Sequence, residues 1–198
     1  MANPFFPLNT YIADGEPHVF GNRVYLFGSH DKAGGDTYCM RNYEFWSAPV
    51  EDLETWSCKG VSYRADQDPL YGEKLKYMYA PDVMQGNDGR FYLYYCMSGE
   101  KGAGGYGGPI SVAVCDTPDG HYEYYGFVRN PDGSPMLKYV TFDPAVINDA
   151  GVIRLYYGTW YPFHEYGKLL EPIFRKVESK LFGKTVKVFP AKFNATVL

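Results

Sequence analysis

The chain has 198 residues, 45% hydrophobic and 18% aromatic, with 20 Tyr, 13 Phe, 3 Trp, 22 Gly and 14 Pro, which excludes disorder, collagen and coiled coil. A formal net charge of -4 provides no basic field for nucleic acid. No apolar run approaches the ~20 residues of a membrane span and no basic-then-apolar leader follows Met1-Ala2-Asn3-Pro4, so the expectation is a cytoplasmic protein without membrane contact.

The first strand-like segment runs from Ala13 to Gly28, with Asp14 at its head, His18-Val19-Phe20 as a short apolar strand, a Gly21-Asn22 turn and Arg23 to Phe27 as the returning strand. Ser29-His30-Asp31 follows it; neighbouring side chains on a strand alternate faces, so these three do not read as a catalytic triad, and His30 and Asp31 are candidate cleft contacts instead. Glu44 to Val50 and Trp56 to Val61 are two further strands broken by turn residues.

The same hairpin returns at Ala80-Pro81-Asp82 to Tyr95 and again at Phe142-Asp143-Pro144 to Gly158. In each copy the second strand carries a Leu, at 26, 93 and 155, lying 12, 11 and 12 residues after the leading Asp. Asn87-Asp88-Gly89 suits a tight turn, since these residues tolerate positive φ. The repeat, 67 and then 62 residues, leaves room for two more strands per unit, which Ile110 to Val114 and Tyr122 to Val128 supply in the second. Four strands per unit is a propeller blade. The expected fold is therefore all-β, a propeller with blade I at about 10–66, blade II at about 77–130 and the start of blade III at about 138–198.

Two segments depart from the repeat. Gly102 to Gly107 satisfies G-x-G-x-x-G, but Gly108-Pro109 leads from it into a β-branched strand rather than a helix N-terminus, so it reads as a loop and not a phosphate cradle. Leu170, Ile173, Phe174, Val177, Leu181 and Phe182 recur at helical spacing, which predicts one inserted helix over 170–182, with strands at 185–189 and from Ala195 to the end. Residues 164–198 carry net charge +4 against -8 for the rest. About two and a half blades cannot close a propeller, so the expectation is the front part of a longer protein.

Cys39, Cys58, Cys96 and Cys115 show no C-x-x-C pair and no His at ligand spacing, and read as free thiols with no metal site. Asp14, Asp82 and Asp143, each heading the innermost strand of its unit, are expected to converge at one end of the channel, where crowded carboxylates raise one another's pKa. Tyr79, Phe142 and Trp160 lie beside them and offer rings on which sugar C–H faces stack.

Asp14 with its Val-Tyr-Leu strand and Ser-His-Asp, Tyr-Ala-Pro-Asp at 79–82 and Phe-Asp-Pro-Ala-Val-Ile at 142–147 together resemble family 43 of the glycoside hydrolases over nearly the whole chain. The resemblance implies a five-bladed propeller that cleaves xylosides or arabinosides with inversion. It implies Asp14 as general base, Asp143 as the acid that tunes and orients the proton donor, and Asp82 as a pocket position; His30, Asp31, Tyr79, Phe142 and Trp160 would contact a pentose-containing oligosaccharide. No cofactor is called for, with a structural ion in the channel left open. The donor implied is a Glu on a later blade in a Glu-Gly-Pro or Glu-Ala-Ser motif, absent here; Glu165, Glu171 and Glu178 lack that context. The chain is thus expected to be a fragment without the general acid, the competing expectation being a carbohydrate-binding or structural propeller fragment with no chemistry.

Overall fold

The computed structural model describes residues 5–69, 77–97, 109–136, 140–160 and 194–197. The first hairpin is β1 (Ile12–Phe20) and β2 (Arg23–His30), extended by β3 (Trp46–Pro49) and the two-residue β4 (Ser57–Cys58) into a four-stranded sheet. The second sheet repeats this with β5 (Met78–Gln85), β6 (Phe91–Met97), β7 (Ser111–Cys115) and β8 (Glu123–Phe127). In the third, β9 (Val140–Asp149) and β10 (Val152–Trp160) form the hairpin and β11 (Asn194–Val197) adds to β10. All pairings are antiparallel between sheet neighbours, as in propeller blades. Among the described residues the helical content is one 3₁₀ turn, Ala65–Gln67, and no helix is long and apolar enough to cross a membrane. The helix expected over 170–182, the strand at 185–189 and the glycine loop at 102–107 lie outside the described residues.

The turns follow local chemistry. Ala150 and Gly151 both adopt positive φ, 50° and 91°, the backbone that a two-residue hairpin needs to match strand twist. In the longer β5–β6 turn, Gly89 has φ 84° and Asp88 accepts from the Arg90 backbone and side chain. Asn148 Nδ2 donates to Gln85 O at 3.0 Å and to Asn87 Oδ1 at 2.9 Å, tying the tips of the second and third hairpins together.

Strand alternation decides what each sheet buries. On β6, Phe91, Leu93, Tyr95 and Met97 enter a core with Tyr25, Phe27, Tyr43 and Phe45 of blade I. Its other face sends Tyr94 and Cys96 into a second core with Val146, Leu155 and Tyr157 of blade III. Blade II is therefore buried on both faces, which is why its strands read as near-continuous apolar runs. The three leucines of the repeat are structurally equivalent: Leu26 pairs with Pro17, Leu93 with Val83 and Leu155 with Val146.

A polar clasp crosses the three innermost strands. Asp82, 2% exposed, accepts from the Val146 backbone N–H of blade III at 2.6 Å and from its own neighbour Val83 at 2.8 Å, while its Oδ1 lies 2.6 Å from His18 Nε2 of blade I. Burial opposes a charged His18, but the hydrogen bond and charge of Asp82, with Glu16 adding, outweigh it and raise the imidazole above its ordinary 6.5.

Two stability measurements test this account. Leu93→Ala, at a site with no exposure between blades I and II, is expected to cost about 2–5 kcal/mol in urea unfolding, and a loss below about 1 kcal/mol would remove the two-faced packing of blade II. Because His18 binds its proton more tightly folded than unfolded, its contribution is fully present below pH ~6.5 and lost as pH rises through the folded value. The melting temperature should fall more between pH 6 and 8 in the wild type than in His18→Gln; parallel curves would exclude the protonated clasp.

Candidate functional site

Each innermost strand carries one extra residue at the same place. Pairing skips between Ala13↔Ser29 and Glu16↔Phe27, between Tyr79↔Cys96 and Asp82↔Tyr94, and between Phe142↔Gly158 and Ala145↔Tyr156. The first skipped residue in each case has positive φ: Asp14 at 50°, Ala80 at 32° and Asp143 at 49°. Such a backbone costs a non-glycine residue about 1–3 kcal/mol, and a bulge re-aims the side chain it carries. Asp14 and Asp143 are accordingly swung to exposed positions, whereas the residues around them stay paired. The opposing backbone has to be thin: a Cβ on Gly28 would come within 2.4 Å of Ile12 Cγ2 and 2.7 Å of Ala13 O.

This register corrects the sequence alignment of the three acids. Ala80, not Asp82, is the counterpart of Asp14 and Asp143; Asp82 lies two residues further on, opposite Tyr94, in the position of Glu16 and Ala145. Its side chain points into the interior and both its oxygens are taken by the clasp described above. Two carboxylates therefore share the exposed end, and the third braces the blades behind them.

Asp143 senses the charge of Asp14. Burial by surrounding protein atoms raises the Asp143 carboxyl above the ordinary carboxylate range, and the charge of Asp14 raises it further. Beneath them lies Cys39, 2% exposed and itself at φ 56°. Burial pushes its thiol up to about 11, with Asp31, Asp14 and Asp143 all adding to the rise. Ser29, fully buried, places its hydroxyl 3.4 Å from Asp14 Oδ2.

The other candidates divide. Tyr79 and Phe142 occupy equivalent places immediately before their bulges, so the structure does bring them to the carboxylate end. Tyr79 is only 4% exposed, with the Tyr38 ring 5.7 Å away, and Phe142 is half-buried against Gly158. Asp31 Oδ1 accepts from Cys39 N at 2.6 Å, so this side chain folds the loop beside the site. His30 turns inward at 2% exposure, Nε2 3.4 Å from an Arg41 guanidinium nitrogen and Nδ1 3.7 Å from Glu44 Oε2; burial lowers its pKa, so the ring is neutral and presents no surface to a ligand. The Trp160 side chain lies outside the described residues. Sequence reading passed over Ser29, Cys39 and Cys96. Ser29 stood in view within Ser-His-Asp, while nothing local distinguishes either cysteine from a packing residue.

A cavity of about 890 Å³ opens elsewhere, lined by Met84, Tyr94, Val112, Tyr125, Phe127 and Ile153, and includes neither carboxylate. It is the apolar flank of blade II toward blade III rather than the centre of the chemistry. Among the described residues no group of three or more His, Cys, Asp or Glu side chains could hold a metal ion.

Comparison with known proteins identifies the family. A xylosidase/arabinosidase of Thermoclostridium stercorarium is 46% identical over 160 residues, covering 79% of this chain and 32% of the relative. Xylosidase/arabinosidase 43A of Humicola insolens is 31% identical over 159 residues, covering 76% of this chain and 44% of the relative. The chain thus spans under half the length of either relative. The GH43_1 enzyme from Xanthomonas citri, solved in complex with xylose, superposes with a TM-score of 0.57 at 28% identity over 74% of this chain and 40% of that one. With paired blades, matched bulges and the model for glycosyl hydrolases family 43 aligning to residues 3–196, the chain belongs to that family.

Proposed function

We propose that this chain forms the base-bearing part of an inverting glycosidase acting on xylosides or arabinosides. The observation that carries the reading is the presentation of Asp14 and Asp143 on matched positive-φ bulges, close enough that the charge of one raises the other. Relatives named for xylosidase and arabinosidase activity support the substrate class. Asp14 takes the proton of a water molecule as its oxygen attacks the anomeric carbon, and the sugar–oxygen bond breaks toward the leaving group. The leaving oxygen takes its proton from a carboxylic acid about 6.5–9.5 Å from the base, a separation that admits the water. That donor would be a Glu on a later blade, as in the sequence-based expectation. Asp143, whose carboxyl burial and the charge of Asp14 raise above the ordinary carboxylate range, is the acid that sets the donor's ionisation through like-charge repulsion when it is charged. Tyr79, Phe142 and Trp160, with Asp31 shaping the adjoining loop, would border the sugar; His30 and Asp82 act from behind the site.

In the enzyme that carries this chain, Asp14→Asn is expected to lower kcat about 10²- to 10⁴-fold with little change in KM. Asp143→Asn should lower the rate and also displace the basic limb of the pH profile, because the charge that holds the donor protonated is gone. The measurement is kcat/KM against pH on an aryl xyloside and an aryl arabinofuranoside. Near wild-type turnover in Asp14→Asn would refute the base assignment, an unmoved basic limb in Asp143→Asn the tuning role, and xylotriose binding without any hydrolysis the enzymatic reading.

A further inference from the structure

We propose that Ser29 and Cys96 are positioning residues that set the two carboxylates relative to each other, Ser29 latching blade I to the bulge of blade II and Cys96 latching blade II to the innermost strand of blade III. Register makes the two equivalent. Ser29 pairs with Ala13, immediately before the first bulge, and Cys96 pairs with Tyr79, immediately before the second.

Each reaches forward by one blade. Ser29 Oγ accepts the N–H of Ala80, the positive-φ residue of blade II, at 2.8 Å. The carbonyl of that same peptide group, on Tyr79, accepts from Tyr43 Oη at 2.9 Å, so blade I grips a single peptide plane of blade II at both ends. The Cys96 S–H in turn donates to Thr141 O of blade III at 3.8 Å, two residues before the positive-φ Asp143. Burial pushes the Cys96 thiol well above its ordinary value, so it donates as a neutral thiol and is not a thiolate.

The hydroxyl has one proton and two lone pairs. With a lone pair committed to Ala80, the proton of Ser29 is free to turn to Asp14 Oδ2 at 3.4 Å. A contact of that length is of the kind that tightens when a ligand occupies the site. The two carboxylates are thereby connected across the blades: Asp14 to Ser29, Ser29 to the Tyr79–Ala80 peptide, Tyr79 by strand pairing to Cys96, and Cys96 to Thr141, two residues before Asp143 on β9. The middle bulge, which carries an alanine and no carboxylate, has its use here, since its backbone is the link between the blades that do carry one.

This inference rests on the reading of Asp14 as the general base and Asp143 as the acid that tunes the donor, and the test separates the two. Amide hydrogen exchange of the chain comes first. Ser29→Ala should speed exchange at Ala80 by about tenfold or more, corresponding to loss of one buried hydrogen bond. Wild-type exchange at Ala80 overturns the latch whatever the enzyme does. If the alanine variant does not fold, Ser29→Cys decides instead: swapping oxygen for sulfur must displace the Ala80 amide proton resonance, and an unmoved resonance overturns the proposal. In the active enzyme, Ser29→Ala and Cys96→Ala should lose about 10- to 100-fold in kcat with KM within about twofold, since displacement near 1 Å has that cost. The swapped variants Ser29→Cys and Cys96→Ser should recover most of it. A loss confined to KM, or equal losses in alanine and swapped variants, would refute positioning. Full activity of Asp14→Asn alongside the expected exchange changes would refute the catalytic reading and leave the latch standing.

Discussion

An antiparallel strand takes in one extra residue as a bulge, and a bulge that sets a residue in the left-handed backbone costs about 1–3 kcal/mol when that residue is not glycine. The innermost strands accept this at Asp14, Ala80 and Asp143, and much else depends on it. Side chains alternate with period two, so one inserted residue exchanges the faces beyond it. Met78 and Val83, five apart, therefore enter the same core toward blade I, and Tyr79 and Met84 both face blade III. An unbulged β5 would direct Val83 and Met84 to the wrong sides. The irregularity that presents the carboxylates is thus also what keeps both faces of blade II apolar along its length.

The same step separates chemically identical groups into different roles. Asp14 and Asp143 occupy the bulge and open to solvent. Asp82, two places further along, is buried and closes a bridge over three blades through His18, Val83 and Val146. A carboxylate in that setting persists because donors from separate elements converge on it, since an unpaired buried charge would be far too costly. Asp68 and Asp119 follow the same rule nearer the rim: Tyr95 donates to Asp68 at 2.7 Å, and Lys59 lies 2.8 Å from Asp119 across blades I and II. Polar groups thus fix the angular relation of the blades, and the aromatic cores of Tyr43, Phe45, Tyr63 and Tyr95 supply the non-directional attraction between them.

Carrying Asp14 on blade I and Asp143 on blade III means that their separation is inherited from the blade between. Close-packed blades transmit displacement because their interiors are poorly compressible. Under the proposed function, residues of blade II such as Ala80 and Cys96 would therefore belong to the working geometry of the site.

Strands, turns and the repeat itself were legible in the sequence because they are short-range: period-two patterning, Gly-Asn and Asn-Asp-Gly turns and a recurring Leu all act within a few residues. Asp14 and Asp143 were legible for the same reason, each standing at the head of a recognisable hairpin. Asp82 appeared to be their third partner, since a spacing of 11 against 12 residues does not reveal where a bulge falls when turn lengths also differ. Only the tertiary structure assigned Ala80 to the equivalent position, buried His30 and Asp82, and set Ser29 and Cys96 against the following blade. Those outcomes depend on which hydrogen-bond donor lies opposite in a neighbouring sheet some 50 or 60 residues away, and no local pattern of residue types encodes that distance.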